Sequence, residues 1–186
     1  TVHASGGPQM LRAAADAARA LSAKPRVLGV TMLTSLDGSE YPSLWNPKTD
    51  LEEKVLALAN ACAESGVDGV VASPREITPL RLEHDPPFLI VTPGIRGPGE
   101  AAQDQKRTLS LAEAFARGAD FVVVGRPILE SKDPRATVAA YEASLAPLRL
   151  GPAITPAGPV DADLTASILP AEFYLQPTLR VARALL

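Results

Sequence analysis

Apolar residues along this chain fall into short, dense runs separated by longer stretches of helical periodicity. Five runs predict buried strands: "TVHA" (1–4), "RVLGVTML" (26–33), "DGVVAS" (68–73), "FLIVTPG" (88–94) and "DFVVVG" (120–125). None alternates strictly between apolar and polar, which is the pattern of parallel strands covered on both faces. The stretches between them predict helices. "GPQMLRAAADAARALSA" and "DLEEKVLALANACAESG" are rich in Ala and Leu, and Asp50 stands before two Glu as an N-cap. "TLSLAEAFARG" has Ser110 as its cap and stops at Gly118, while "DPRATVAAYEASL" pairs a capping Asp133 with Pro134 in the first turn.

Strand and helix in alternation predict βα units joined by right-handed crossovers. An internal echo supports them: "SGVDGVVASP" and "RGADFVVVGR" share a helix-ending Gly (66 and 118), an Asp (68 and 120) and a Val pair (70–71 and 122–123), all at a spacing of 52. The same joint used twice suits a repeating (β/α) barrel at least as well as an open doubly wound sheet. From about Leu145 the pattern changes. Pro147, Pro152, Pro156 and Pro159 predict a linker over 147–168, and "PAEFYLQPTLRVARALL" then resumes a helical pattern over 169–186. The domain reading is therefore a barrel part over 1–146, a Pro-rich linker and a helical tail. The chain opens on Thr within a strand and stops without a helix cap, so both ends read as cut from something longer.

Composition narrows the function. Of 186 residues, 46% are apolar and only 4% aromatic, and the net charge is −3, which argues against a general nucleic-acid or membrane-surface protein. The one cysteine, Cys62, excludes an intrachain disulfide and fits a reducing cytoplasm. With two histidines and one cysteine far apart, no zinc spacing exists, so no metal is expected. No apolar run approaches a membrane span, and a soluble chain is expected.

Two strand ends carry the chemistry. "GADFVVVGRPI" ends a strand at Gly125, where a missing side chain lets a ligand approach the backbone, and then presents the planar donor fork of Arg126 before Pro127. That pattern suits a phosphate at a helix start, although a tight turn whose arginine caps a neighbouring helix explains the segment equally well. The preceding strand breaks the tie. "VTPGIRGPGEAAQDQKR" adds Arg96 and Gln105 from the next loop, with Lys106 and Arg107 beside them, so donors converge from consecutive βα loops as in barrel phosphate sites. His3 reads as structural, His84 in "LEHDPP" as part of a surface loop, and Cys62 as core on a face shared with Val55, Leu58 and Ala59. Tyr41 and Trp45 read equally as a lip over the site or as a surface loop.

The motifs "TVHASGG", "VTMLTSLD", "GVDGVVASPRE", "VTPGIR", "DQKR" and "GADFVVVGRPI" occur in the order found in bacterial orotidine 5′-monophosphate decarboxylases, and over residues 1 to 145 the chain resembles that family. The resemblance implies a (β/α)8 TIM barrel, a homodimer, and conversion of orotidine 5′-monophosphate to UMP in pyrimidine synthesis, with no cofactor or metal. It implies further that Arg96, Gln105, Gly125 and Arg126 hold the phosphate and that Thr34 of "LTS" contacts the pyrimidine. The family's catalytic Asp-x-Lys-x-x-Asp motif is absent from this sequence, so no catalytic residue is assigned here. The five strands would be strands 4–8 of the barrel. Five strands cannot close, so poor folding or aggregation of the isolated chain is expected.

Two other readings stay open. One is a partial barrel that binds phosphate or nucleotide without chemistry. The other arises from "LPAEFYLQPTLRVARALL", which resembles the opening of the alkyladenine (3-methyladenine) DNA glycosylase family and would make the chain an N-terminal extension of such an enzyme; an amphipathic helix with Leu179, Val181 and Leu185 on one face is the alternative.

Overall fold

The computed structural model describes residues 1–33, 50–96 and 109–145, with the backbone of 173–175. The five expected strands all form, shorter than their apolar runs: β1 Val2–His3, β2 Leu28–Val30, β3 Gly69–Val71, β4 Leu89–Thr92 and β7 Phe121–Val124. They pair in parallel in the order β1-β2-β3-β4-β7. The helices between them are α1 Gly7–Ala20, α2 Leu51–Glu64, α3 Ile77–Glu83, α4 Leu111–Ala116, α5 Arg126–Leu129 and α6 Pro134–Ser144, with a 3-10 turn over Ala4–Gly6 where the first strand was expected to continue.

The cap residues act as the sequence predicts. Asp50 accepts from the Glu52 N–H, Asp133 from the Ala136 N–H, and Ser110 closes a reciprocal capping box with Glu113. The repeated joint is real as well. Gly66 and Gly118 take φ of +75° and +106° just past α2 and α4, where a side chain would be strained. Two residues on, Asp68 Oδ2 accepts from the Val27 N–H at 2.7 Å and Asp120 Oδ2 from the Ile90 N–H at 2.7 Å. In each copy an arginine from an earlier helix, Arg19 or Arg81, donates to the glycine carbonyl.

Three features differ from expectation. Ile95–Arg96 (β5) and Leu109–Ser110 (β6) form a small parallel sheet of their own where the sequence predicts only loop and helix cap. The helix α3 forms although the pattern of "ITPLRLE" does not predict it; Pro79 is harmless there because it lies in the first turn, whose N–H groups have no helical partner. Phe173–Leu175 is not helical: it forms β8, antiparallel to β7.

Register assigns each side chain to a face, since paired residues of parallel strands point the same way. One face carries Gly29, Val70, Ala72, Ile90, Thr92, Val122 and Val124, all buried under the helices. The approach is close enough that a Cβ on Gly29 would lie 2.2 Å from the Cys62 sulfur of α2. The opposite face carries Leu28, Val30, Val71, Leu89, Phe121 and Val123, which are partly buried, together with the buried Gly69 and Val91.

Cys62 is 0% exposed, and burial pushes its thiol from an ordinary 9.0 up to about 11. The folded state therefore holds the proton more tightly than the unfolded chain, so stability is full below pH 9 and falls as pH rises toward 11. Urea midpoints should drop across that window in the wild type and stay flatter in Cys62→Ala, and native protein at pH 8 should resist iodoacetamide until denatured.

Candidate functional site

Every parallel strand of the main sheet runs in the same direction, so the C-terminal strand ends lie along one rim, where α/β folds place ligands. Gly125 and Arg126 follow β7 there. Arg96 lies on β5, directly after β4, and β5 packs against β7, so the two arginines leave neighbouring strands. Thr34 and Gln105 lie outside the described residues, as do Lys106, Arg107, Tyr41 and Trp45.

Gly125 has φ −104° and ψ −94°, and a Cβ added there would meet nothing within 4 Å. The packing does not demand glycine, and the space beside it is open. The Gly125 carbonyl accepts from the Ile128 N–H at 2.9 Å and the Leu129 N–H at 3.2 Å, and Pro127 has no N–H. The four-residue helix thus offers an anion few backbone donors, and the attraction must come from side chains. Arg126 is exposed, with its planar fork available; Arg96 is partly buried and already engaged within the fold.

Sequence reasoning missed two buried hydroxyls on this rim. Ser73 Oγ and Thr92 Oγ1 are both buried, and neither has a hydrogen-bond partner. Their directions differ. Thr92 pairs with Val122 on the helix-covered face, whereas Ser73, one step beyond Ala72, falls by alternation on the partly exposed face, as does Gly125 one step beyond Val124. A buried orphan hydroxyl costs about 1–3 kcal/mol, so Ser73 on the open face is a ligand-contact candidate. The sequence signal for it was "SPRE", a Ser-x-x-Glu stretch directly after a strand.

The histidines take no part in this rim chemistry as a pair. His3 is exposed at the end of β1, while His84 caps α3 and stacks on Phe88 with ring centroids 4.6 Å apart rather than lying in a surface loop. Burial lowers the His84 pKa from its ordinary value.

Comparison with known proteins identifies the family. Residues 1–141 match the model of the orotidine 5′-phosphate decarboxylase / HUMPS family. An orotidine 5′-phosphate decarboxylase of Streptococcus pneumoniae (strain Hungary19A-6) is 42% identical over 142 residues, which cover 76% of this chain and 58% of that protein. The crystal structure of orotidine 5′-phosphate decarboxylase from Lactobacillus acidophilus superposes with a TM-score of 0.63 at 38% identity, covering 77% of this chain and 60% of that one. An uncharacterized conserved protein from Geobacillus kaustophilus gives 0.59 at 33% identity, with coverage of 76% and 60%. The chain spans 58% of the length of the curated relatives it matches. A parallel α/β sheet, arginines on neighbouring strand ends and a family match over most of its length together place the chain in the orotidine 5′-phosphate decarboxylase / HUMPS family.

Proposed function

We propose that this chain is the phosphate-gripping part, strands 4–8, of a TIM-barrel orotidine 5′-phosphate decarboxylase that makes UMP in the cytoplasm, and that by itself it binds the nucleotide without decarboxylating it. The observation that carries the reading is the open space at Gly125 beside the exposed Arg126, with Arg96 on the neighbouring strand end. Two guanidinium forks on one rim match a dianionic phosphate in shape and charge. Gln105 would add a neutral donor and Thr34 a pyrimidine contact. Ser73, on the same face and away from the arginines' strands, would meet the uncharged part of the nucleotide. The partly exposed sheet face would be the barrel interior, and the homodimer of the family would form once the barrel is complete.

The chemistry itself requires more than a phosphate grip. Breaking the bond to the carboxylate leaves an electron pair on pyrimidine C6, and a positioned ammonium must stabilise that carbanion and protonate it. The Asp-x-Lys-x-x-Asp motif that would hold such a lysine is absent from the sequence, so the step is assigned to no residue here. The proposed division of the chain keeps 1–146 as barrel, 147–168 as linker and 169–186 as a tail. A glycosylase extension is the weaker reading, since its resemblance is confined to that tail.

Calorimetric titration of the purified chain with UMP tests the proposal. Saturable binding, competed by ribose 5-phosphate, is expected, together with an unchanged orotate absorbance when orotidine 5′-monophosphate is added. Turnover that persists through purification, or no UMP binding at millimolar concentration, would refute it.

A further inference from the structure

Two Ser-x-x-Glu stretches in this chain follow strands and precede helices, and they are built differently. At Ser110 the box is closed: the hydroxyl accepts from the Glu113 N–H at 3.3 Å, and the Glu113 carboxylate accepts from the Ser110 N–H at 3.0 Å. At Ser73 only half of it forms. Glu76 Oε2 accepts from the Ser73 N–H at 2.8 Å, but the Glu76 N–H turns to the Ser73 carbonyl at 3.0 Å, leaving the Ser73 hydroxyl without a partner. The turn is also buried, with Ser73 1% and Glu76 5% exposed, whereas Ser110 and Glu113 are exposed.

A turn able to close its cap instead keeps a buried hydroxyl unsatisfied, against a cost of about 1–3 kcal/mol. The carboxylate does the holding and the hydroxyl is left over. We infer that Glu76 is a positioning residue, whose carboxylate clamps the turn after β3 and thereby keeps the Ser73 hydroxyl directed at a neutral polar edge of the bound ligand. A buried carboxylate beside Ser73 repels an anion, so the group that Ser73 meets is uncharged, while the phosphate stays with the arginines beyond β4 and β7. A hydroxyl both donates and accepts, as an amide-like base edge requires. This inference rests on the nucleotide reading above.

The test compares UMP with ribose 5-phosphate, which lacks the base, on the full chain carrying Glu76→Met, Glu76→Gln, Ser73→Ala and the Ser73→Ala/Glu76→Met pair. Methionine fills the buried volume without an acceptor, and glutamine keeps one. Glu76→Met and Ser73→Ala should each weaken UMP by about 5- to 10-fold, the size of one hydrogen bond, and leave ribose 5-phosphate unchanged. Glu76→Gln should bind UMP within about twofold of wild type, and the double variant should be no weaker than Ser73→Ala alone. Equal weakening of both ligands by Glu76→Met, additive losses in the pair, or loss of the fold in Glu76→Met with wild-type behaviour in Glu76→Gln would overturn the inference and leave a structural residue. Unchanged UMP binding in Glu76→Met overturns it alone, whereas a wild-type chain that binds neither ligand overturns the nucleotide reading and this inference together.

Discussion

Arg126→Ala should lower the affinity of the chain for UMP by about 10- to 100-fold, the worth of charge-assisted hydrogen bonds to a phosphate. The size follows from what surrounds it. The Ile128 and Leu129 N–H groups are already taken by the Gly125 carbonyl, so the backbone of this turn has little to substitute for the lost fork. Arg126→Lys should fall between the two, because it keeps the charge and loses the paired donors. Ribose 5-phosphate should weaken in parallel with UMP, since both carry the same phosphate, and added salt should narrow the gap between variant and wild type. Arg12→Ala, an exposed arginine on α1, should bind as wild type does. Equal UMP affinity in Arg126→Ala and wild type, by calorimetry at low salt, would remove the phosphate site from this rim.

The parts of the fold that could be read from the sequence are those with a repeating physical cause. Strands β1 to β4 and β7 announce themselves as short unalternating apolar runs, the pattern of parallel strands in βα units, and the joint before β3 and β7 shows twice because the same Gly and Asp geometry solves the same problem twice. What was not legible was either too short or decided by tertiary context. The two-residue pair β5 and β6 carries no periodicity, and Pro79 masked α3 although its position in the first turn makes it neutral. The tail strand β8 pairs with β7 against its own helical spacing. At the site, Arg96, Gly125 and Arg126 stood out because charge and glycine at strand ends are visible in one dimension. Ser73 did not, because its meaning lies in a hydrogen bond it fails to make, and only the contrast with Ser110 in three dimensions exposes that.

Asp120→Ala should be among the most destabilising substitutions in the chain, at about 3 kcal/mol, because it uncovers a partly buried guanidinium that ties four segments together. Arg81 donates through Nε to the Gly118 carbonyl at 3.0 Å and through Nη1 to the carbonyls of His84 at 2.9 Å and Phe88 at 3.0 Å, while Nη2 pairs with Asp120. Asp120 in turn accepts from the Ile90 N–H at the start of β4. Removing the carboxylate strands a cation with 17% side-chain exposure and orphans a strand N–H in the same step. The other copy of the joint supplies an internal comparison. Asp68 makes the equivalent bond to the Val27 N–H, but its arginine, Arg19, is exposed and pairs with Asp16 instead. Asp68→Ala should therefore cost about 1–2 kcal/mol, the hydrogen bond without the buried charge. Asp120→Asn, which keeps an acceptor for Ile90 and loses the ion pair, should fall between. Urea unfolding of the four proteins checks the order, and equal losses in Asp120→Ala and Asp68→Ala would mean that the arginine adds nothing and the strand N–H is the whole effect. Because this joint lies at the N-terminal end of the strands, opposite the arginine rim, UMP affinity in the folded fraction should be unchanged by any of them, separating the end of the sheet that holds the fold from the end proposed to hold the ligand.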